Sequence, residues 1–247
     1  MTRRRFFRFA SGFTLLELSL VVVVMGVLGL FFVNSFSGAD DVRVRRQSRA
    51  QAEVAREALR AYLLTNKRLP CPDTDTDGYE DGGAAGCTGT GETGTLPYLT
   101  LGLPDAAHNR MFYGVYRVAP PDDITLDITL QAERTGDAEG APGYLGLGDV
   151  VVALQAIVSD VLKPAYLHSA GIDAAGAADC AAAHHPVFIL IVPNTDRDGD
   201  GNVLDAPNAP NGKCFASPEQ PMTLNYDDVV AVESPSALIG WVTYHIN

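Results

Sequence analysis

Two short segments of the chain carry alternating aspartates at a spacing that suits a metal ion. Both have the form D-x-D-x-D-G, and their aspartates are Asp73, Asp75 and Asp77 in the first acidic loop and Asp196, Asp198 and Asp200 in the second acidic loop. Alternating carboxylates on a glycine turn bring their oxygens together, and Ca2+ takes about six to eight oxygen ligands. The sequence predicts Ca2+ binding at each loop, with an Asp-Gly surface turn that holds no ion as the alternative.

Further oxygen ligands follow in both loops, but neither set is complete. In the first loop, the Tyr79 carbonyl falls at the seventh position and Asp81 at the ninth. In the second loop, the Asn202 carbonyl falls at the seventh position, and Asp205 is a substitute for the missing last carboxylate. Both loops lack the glutamate that usually closes such a site at its twelfth position. Beyond Ca2+ at these loops, the sequence indicates no cofactor.

All four cysteines lie after residue 70, and they are Cys71, Cys87, Cys180 and Cys214. Four cysteines allow three pairings, and the sequence does not choose among them. In a region outside the cytoplasm disulfides are the default, and Cys71–Cys87 with Cys180–Cys214 would close two local loops. The alternatives are free thiols and a zinc site formed by Cys180, His184, His185 and Cys214.

Charge divides the 247 residues into three regions. Residues 1–12 carry four arginines and no acid, residues 13–68 carry eight basic and five acidic side chains, and residues 69–247 carry six basic and 25 acidic ones. The last region therefore has a net charge of −19 within a total of −12. This balance disfavours a nucleic-acid partner, and an apolar fraction of 47% excludes a wholly disordered chain.

The elements that carry these residues begin with a long helix. Residues 13–33 form an apolar run of 21 residues in which Glu17 is the one ionisable side chain, and about 20 such residues span a ~30 Å hydrocarbon core. This run predicts a transmembrane helix. Residues 34–68 then become amphipathic, with apolar residues every three or four positions, and predict a stalk helix that Leu69-Pro70 ends.

Beyond the stalk, the helical period is replaced by short β-type runs between glycine, proline and aspartate. These runs are residues 112–118, 124–130, 187–192 and 228–232. Ser234-Pro235 predicts the start of a final short helix over 237–244, and residues 150–161 fit helix or strand. The predicted fold class is α+β: a long N-terminal transmembrane-plus-stalk helix packed on a small antiparallel β-sheet head, residues 69–247, with long Asp/Gly-rich, disulfide-stapled loops.

The start of the apolar run is the most specific motif of the chain. Residues 1–12 form a basic leader that ends at Gly12. Residues 12–30, GFTLLELSLVVVVMGVLGL, resemble, together with this leader, the class III signal of type IV prepilins and type II secretion pseudopilins. The resemblance implies cleavage between Gly12 and Phe13 by a prepilin peptidase and N-methylation of Phe13. After this cleavage Glu17 would be the fifth residue of the mature chain. The resemblance also implies that Glu17 neutralises the N-terminal amine of a neighbouring subunit. A glutamate that snorkels to lipid head groups is the alternative.

By this resemblance, the chain is expected to be a non-catalytic structural subunit, a minor pilin or pseudopilin. Its expected partners are other pilin or pseudopilin subunits, the peptidase, membrane lipid before assembly and an inner-membrane assembly platform. The expected location is the inner membrane, with a single pass and the head in the periplasm, and then the filament. The alternative is a membrane-tethered or tip-displayed calcium-dependent binding or adhesion module. Motifs of an enzyme are missing, so we expect no catalysis.

Overall fold

The computed structural model describes residues 14–83, 86–87, 91–118, 123–126, 146–159 and 166–246. Contacts divide the chain into two compact units, residues 1–45 and residues 46–247, which are described separately. In chain order the elements are α1 (Leu15–Asn66), β1 (Gly82–Gly83), β2 (Gly86–Cys87), β3 (Thr93–Thr95), a 3-10 helix (Ala107–Asn109), β4 (Phe112–Val115), α2 (Leu147–Ser159), β5 (His168–Ile172), β6 (Ala178–His184), β7 (Phe188–Val192), β8 (Cys214–Phe215), β9 (Val229–Glu233) and α3 (Pro235–Ile246). The class is α+β.

The first unit contains the start of α1 and corrects one expectation. Within the described part of the chain, no helix carries an apolar stretch long enough to cross a bilayer. The transmembrane segment predicted over residues 13–33, and with it that part of the predicted fold class, is therefore wrong.

The second unit is built around an antiparallel four-stranded sheet in the order β3-β4-β7-β9. Its central strand β7 is buried at all five positions, which fits its unbroken apolar sequence FILIV. Neighbouring strands pair β7 on both sides: Tyr113 lies opposite Leu190, and Ile189 lies opposite Val232. The sheet therefore has two apolar faces that other elements must cover.

Helices cover one face of this sheet. The part of α1 in the second unit buries Ala52, Ala55, Leu59 and Leu63, each no more than 1% exposed, in one core with the side chains of β7. Helices α2 and α3 add Val150, Leu154, Ile157, Leu238 and Val242 to the same core. The amphipathic helix that Leu69-Pro70 is expected to end does end just before them, at Asn66, and its apolar face packs on the sheet.

The opposite face is covered by loops and by a three-stranded sheet. That second sheet has the order β6-β5-β8, antiparallel between β5 and β6 and parallel between β5 and β8. Ile189, Ile191 and Val230 pack there against Phe215 and Tyr226. A two-stranded ribbon, β1-β2, lies at the first disulfide.

Local turn chemistry explains where the expected strands differ from the observed ones. The run at 124–130 begins as a turn, because Asp123 Oδ1 accepts hydrogen bonds from the Thr125 N–H and hydroxyl, and residues 127–130 lie outside the described part. The ambiguous run at 150–161 is helical as far as Ser159 in α2, and residues 160–161 lie outside the described part. At α3, the Ala237 N–H donates to Ser234 Oγ at 3.2 Å, so the expected cap is present.

Candidate functional site

Helix α1 begins with a reciprocal cap that involves Glu17. The Thr14 N–H and hydroxyl donate to Glu17 Oε2 at 3.1 and 3.2 Å, and the Glu17 N–H donates to Thr14 Oγ1 at 3.3 Å. This is a capping box, which the T-x-x-E pattern before an apolar run can reveal from sequence alone. Glu17 is exposed, and Gly12 and Phe13, the predicted cleavage and methylation positions, lie outside the described residues.

Apolar side chains surround Glu17 on all sides of the helix. Leu15 is 89% exposed and Leu16 76%, and the other large apolar residues of this stretch are at least 45% exposed: Leu18, Leu20, Val21, Val22, Val23, Val24, Met25, Val27 and Leu28. A Cβ placed on Gly26 or Gly29 would meet nothing within 4 Å. A helix that is apolar all round requires an apolar partner along its whole surface.

The first acidic loop is joined to strand β3 by backbone hydrogen bonds at its first aspartate. The Asp73 N–H donates to the Thr95 carbonyl at 3.0 Å, and the Thr95 N–H donates back at 2.7 Å. Asp73 is fully buried, and burial raises the pKa of its carboxyl although the N–H groups of Gly78 and Thr76 donate to it. Oxygens of Asp73, Asp75 and Asp81 lie within 4.8 Å of one another, whereas Asp77 is not in this group.

The remaining members of the first loop hold its turns. Asp77 Oδ1 accepts from the Tyr79 N–H at 2.7 Å, and Asp75 Oδ1 accepts from the Asp77 N–H at 3.2 Å. Asp81 Oδ2 accepts from both the N–H and the hydroxyl of Thr74, and the Thr74 hydroxyl lowers the pKa of Asp81. Asp73, Asp75 and Asp81 thus converge and also accept backbone hydrogen bonds, whereas Asp77 holds the turn at Tyr79 outside this group.

The second acidic loop repeats this turn in a more exposed setting. Asp196, Asp198 and Asp200 offer oxygens within 4.8 Å of one another. Asp198 also accepts from the Ala206 N–H at 3.0 Å, which lowers the pKa of its carboxyl. The Asn202 N–H donates to Asp200 Oδ1 at 2.7 Å. Asp196, Asp198 and Asp200 therefore converge, whereas Asp205, the predicted substitute for the last carboxylate, is not in this group.

The two loops share one backbone conformation. The first aspartate accepts from the N–H groups three and five residues later, at Thr76 and Gly78 in one loop and at Gly199 and Gly201 in the other. All four of those residues have positive φ, between 66° and 91°. Thr76 holds this left-handed conformation without the freedom of glycine, which is unusual for a β-branched residue. The sequence repeat is thus a structural repeat.

Both local disulfides are formed. Cys71 and Cys87 are bonded with their Cα atoms 5.2 Å apart, and Cys180 and Cys214 with theirs 5.9 Å apart. The zinc alternative is wrong, because the sulfurs of Cys180 and Cys214 are bonded to each other and cannot serve as thiolate ligands. His185 Nδ1 instead lies 2.7 Å from the Leu167 carbonyl inside the second unit.

A third group of carboxylates was not indicated by any sequence pattern. Asp205 does not join the carboxylate group of the second loop but lies with Asp227 and Asp228, with one oxygen of each within 4.8 Å of the others. All three residues are at most 3% exposed. Burial raises the pKa of Asp228 to about 7, and the charges of Asp205 and Asp227 act in the same direction. An adjacent Asp-Asp pair before a strand was the only available signal.

Comparisons of the chain with protein-family models, with curated proteins and with solved structures found no match. Function is therefore inferred from the residues and contacts described above.

Proposed function

We propose that the chain is a non-catalytic filament subunit of the type IV pilin-like class, a minor pilin or pseudopilin. In this proposal a prepilin peptidase cleaves after Gly12, Phe13 becomes the methylated N-terminus, and the start of α1 packs against the same segment of neighbouring subunits. Its action is assembly: apolar helix surfaces that face solvent in one chain become buried between chains. Other pilin-like subunits and an inner-membrane assembly platform are the partners.

The observation that carries this proposal is the all-round exposure of apolar side chains from Leu15 to Leu28. Burial of apolar surface gains about 25 cal/mol per Å2, so an uncovered stretch of this length favours association strongly. Gly26 and Gly29 leave open space on the helix surface, which allows another helix to approach closely.

Glu17 supports a specific register for this association. Its carboxylate is held at the first turn by Thr14 and is exposed among apolar side chains. A carboxylate that becomes enclosed by apolar helices needs a cation, because an unpaired buried charge costs several kcal/mol. In our proposal the α-amino group of a neighbouring Phe13 supplies that cation and sets the axial position of each subunit.

The compartment of the second unit is part of the same proposal. Two disulfides staple residues 71–87 and 180–214, and such bonds persist in oxidising surroundings such as the periplasm. We therefore place the second unit in the periplasm and, after assembly, on the outside of the filament.

Mass spectrometry of the protein from its native cells tests the processing step. We expect a mature N-terminus at methylated Phe13 in the wild type and an uncleaved leader in Gly12→Val. Ser11→Ala, which leaves the glycine in place, is the control and should be processed normally. An intact Met1 in the wild type would contradict the proposal.

A calcium-dependent binding or adhesion module is the second candidate, and the shared geometry of the two acidic loops favours it. Each loop gathers three carboxylates with oxygens within 4.8 Å of one another, and Asp75 and Asp198 are among them. Attachment of cells to a surface in millimolar Ca2+ and in EDTA, for wild type and for a Asp75→Asn/Asp198→Asn double variant, tests this candidate. We expect attachment only for the wild type with Ca2+, and equal attachment in all four conditions would contradict it.

A further inference from the structure

The carboxylates of Asp205, Asp227 and Asp228 meet beneath the second acidic loop, where the chain enters β9. They come from two segments, since Asp205 ends the loop and Asp227-Asp228 precede Val229. Their exposed fractions are 0%, 3% and 1%, respectively. All three members of this group are therefore buried, whereas the first acidic loop buries only Asp73 among its aspartates and the second buries none of its three aspartates.

Hydrogen bonds account for five of the six carboxylate oxygens. The N–H groups of Arg197 and Asp227 donate to the two oxygens of Asp205, at 3.0 and 2.6 Å. Asp227 accepts from the Thr195 N–H and from Arg197 Nε. Asp228 Oδ2 accepts from the Asp205 N–H at 2.9 Å and from Asn208 Nδ2 at 2.8 Å.

The sixth oxygen, Asp228 Oδ1, is buried and has no hydrogen-bond partner among the described residues. An oxygen in this position costs free energy unless a proton or a cation satisfies it. Its side chain also offers an oxygen within 4.8 Å of oxygens of two other carboxylates, and a positive charge would offset the repulsion among them.

The charge balance leads to the same conclusion. Arg197 forms an ion pair with Asp227, with Nε 2.6 Å from Oδ2. Within the described part of the chain, no cationic side chain forms such a pair with Asp205 or Asp228. Among the described residues, two of the three carboxylates thus lack a cationic partner in a buried setting, and a divalent cation would neutralise both.

We propose that Asp205, Asp227 and Asp228 form a structural calcium site that fastens the second acidic loop to the start of β9. The ligand atoms of this site would all be carboxylate oxygens, which hard cations prefer. Their mutual distances of up to 4.8 Å fit metal–oxygen distances of about 2.3–2.6 Å. Ca2+ accepts irregular geometry, whereas Mg2+ keeps several waters that a buried site has little room for. The proposal of this site does not rest on the proposed role of the chain as a filament subunit.

Asp228→Asn is the informative variant because its geometry is constrained. The oxygen of the new amide must occupy the Oδ2 position to accept from the Asp205 N–H and from Asn208 Nδ2. The NH2 group then takes the Oδ1 position, where the wild-type oxygen has no hydrogen-bond partner among the described residues. The substitution therefore removes the cation site and supplies hydrogen-bond donors in its place.

The experiment uses the full chain in mild detergent, stripped with EDTA and dialysed against Ca2+. To separate this site from the surface loops, the background carries Asp75→Asn, Asp77→Asn, Asp198→Asn and Asp200→Asn. Bound Ca2+ per chain is measured by equilibrium dialysis with atomic emission, and Tm by calorimetry. Glu219→Gln, which removes one exposed acidic charge from a nearby segment, is the control.

In this background we expect one Ca2+ per chain and a rise in Tm of about 5–10 °C at a Ca2+ concentration ~100-fold above Kd. Glu219→Gln should keep both effects, and Asp228→Asn should lose both while its Ca2+-free Tm equals or exceeds that of the background. No bound Ca2+ and an unchanged Tm in the background would overturn the proposal. If the background variant does not fold, Asp228→Asn in the otherwise wild-type chain must bind one Ca2+ fewer than wild type, and equal binding would overturn it.

Discussion

The two ends of helix α1 use similar apolar residues in opposite surroundings. Near its start, Leu20 is 61% exposed and its apolar neighbours are similarly uncovered, whereas near its end Leu59 and Leu63 are fully buried. The difference lies in what each end contacts, because the sheet and helices α2 and α3 cover the later residues. An apolar sequence thus indicates a need for burial, and the chain itself meets that need at one end only.

Polar groups at the two ends differ in the same way. Glu80, beside the end of α1, accepts hydrogen bonds from Arg68 at 2.6 and 2.7 Å, from the Cys71 N–H at 3.0 Å and from the Tyr62 hydroxyl at 2.9 Å. Glu17, at the start, is bound by Thr14 within its own first turn. Glu80 is therefore a structural group of the second unit, whereas the carboxylate of Glu17 remains available for a partner.

The largest expected difference is between Leu63→Ala and Leu20→Ala. Leu63→Ala leaves a cavity in the core and should lower the free energy of unfolding by about 2–5 kcal/mol. Leu20→Ala removes an exposed side chain and should change it by less than about 0.5 kcal/mol. Urea unfolding of the full chain, followed by circular dichroism, measures both, and similar losses for the two variants would break the comparison.

Glu80→Gln should have the next largest effect. Burial raises the pKa of Glu80, but the Arg68 guanidinium and the Cys71 and Tyr62 donors outweigh it, so the folded pKa lies below its ordinary value. Loss of these charged hydrogen bonds should cost about 1–3 kcal/mol at pH 7.

The pH dependence of the same variant has a definite sign. A lowered folded pKa stabilises the fold above the unfolded pKa of ~4.3, and this contribution is lost as pH falls through the folded pKa. The difference in free energy of unfolding between wild type and Glu80→Gln should therefore be constant from pH 7 to about pH 5 and shrink below about pH 4. A difference between wild type and Glu80→Gln that grows on acidification would contradict a lowered pKa for Glu80.

The helix caps at the two ends of the chain give a smaller contrast. Ser234→Ala removes the cap of α3 and should lower the free energy of unfolding by about 1 kcal/mol, because α3 contributes Leu238 and Val242 to the core. Thr14→Ala removes a cap that belongs to the first unit. We expect no shift in the calorimetric transition of the second unit for Thr14→Ala, and an equal shift for both would show that the two units unfold together.

The smallest effect on stability is expected for Glu17→Gln. The amide keeps the side-chain acceptor for the Thr14 N–H, so the free energy of unfolding should change by less than about 0.5 kcal/mol. Urea unfolding of Glu17→Gln, carried out alongside Glu80→Gln, measures this change in the free energy of unfolding. A loss as large as that of Glu80→Gln would mean that Glu17 is a structural group within its own chain.

Local patterns predicted the local structure of this protein. The spacing of Leu59, Leu63 and their neighbours predicted the helix and its buried face, and Ser234-Pro235 predicted the start of α3. The two D-x-D-x-D-G repeats predicted two glycine turns, and the structure gives both turns one conformation. Each of these features depends on residues within a few positions of one another, for which helix and turn rules are strongest.

Features that depend on distant contacts could not be predicted in the same way. Asp205 is brought beside Asp227 and Asp228 by the packing of a loop on the sheet, over 22 residues of sequence, and no local rule connects them. The transmembrane interpretation of residues 13–33 rested on the length and apolar character of the run, and exposed apolar side chains fit a helix–helix partner as well as lipid. Asp123 overrode the alternation at 124–130 by drawing Thr125 into a turn.

Filament incorporation of Glu17→Gln tests the central claim most directly. Filaments are sheared from native cells, and the chain is quantified by immunoblot in the filament and cell fractions for wild type, Glu17→Gln and the control Glu53→Gln, an exposed glutamate later on the same helix. We predict at least a tenfold drop, about 1.4 kcal/mol or more, in the filament-to-cell ratio for Glu17→Gln, with the control at the wild-type ratio. Equal ratios for all three proteins would contradict the account of this chain as a filament subunit aligned by Glu17.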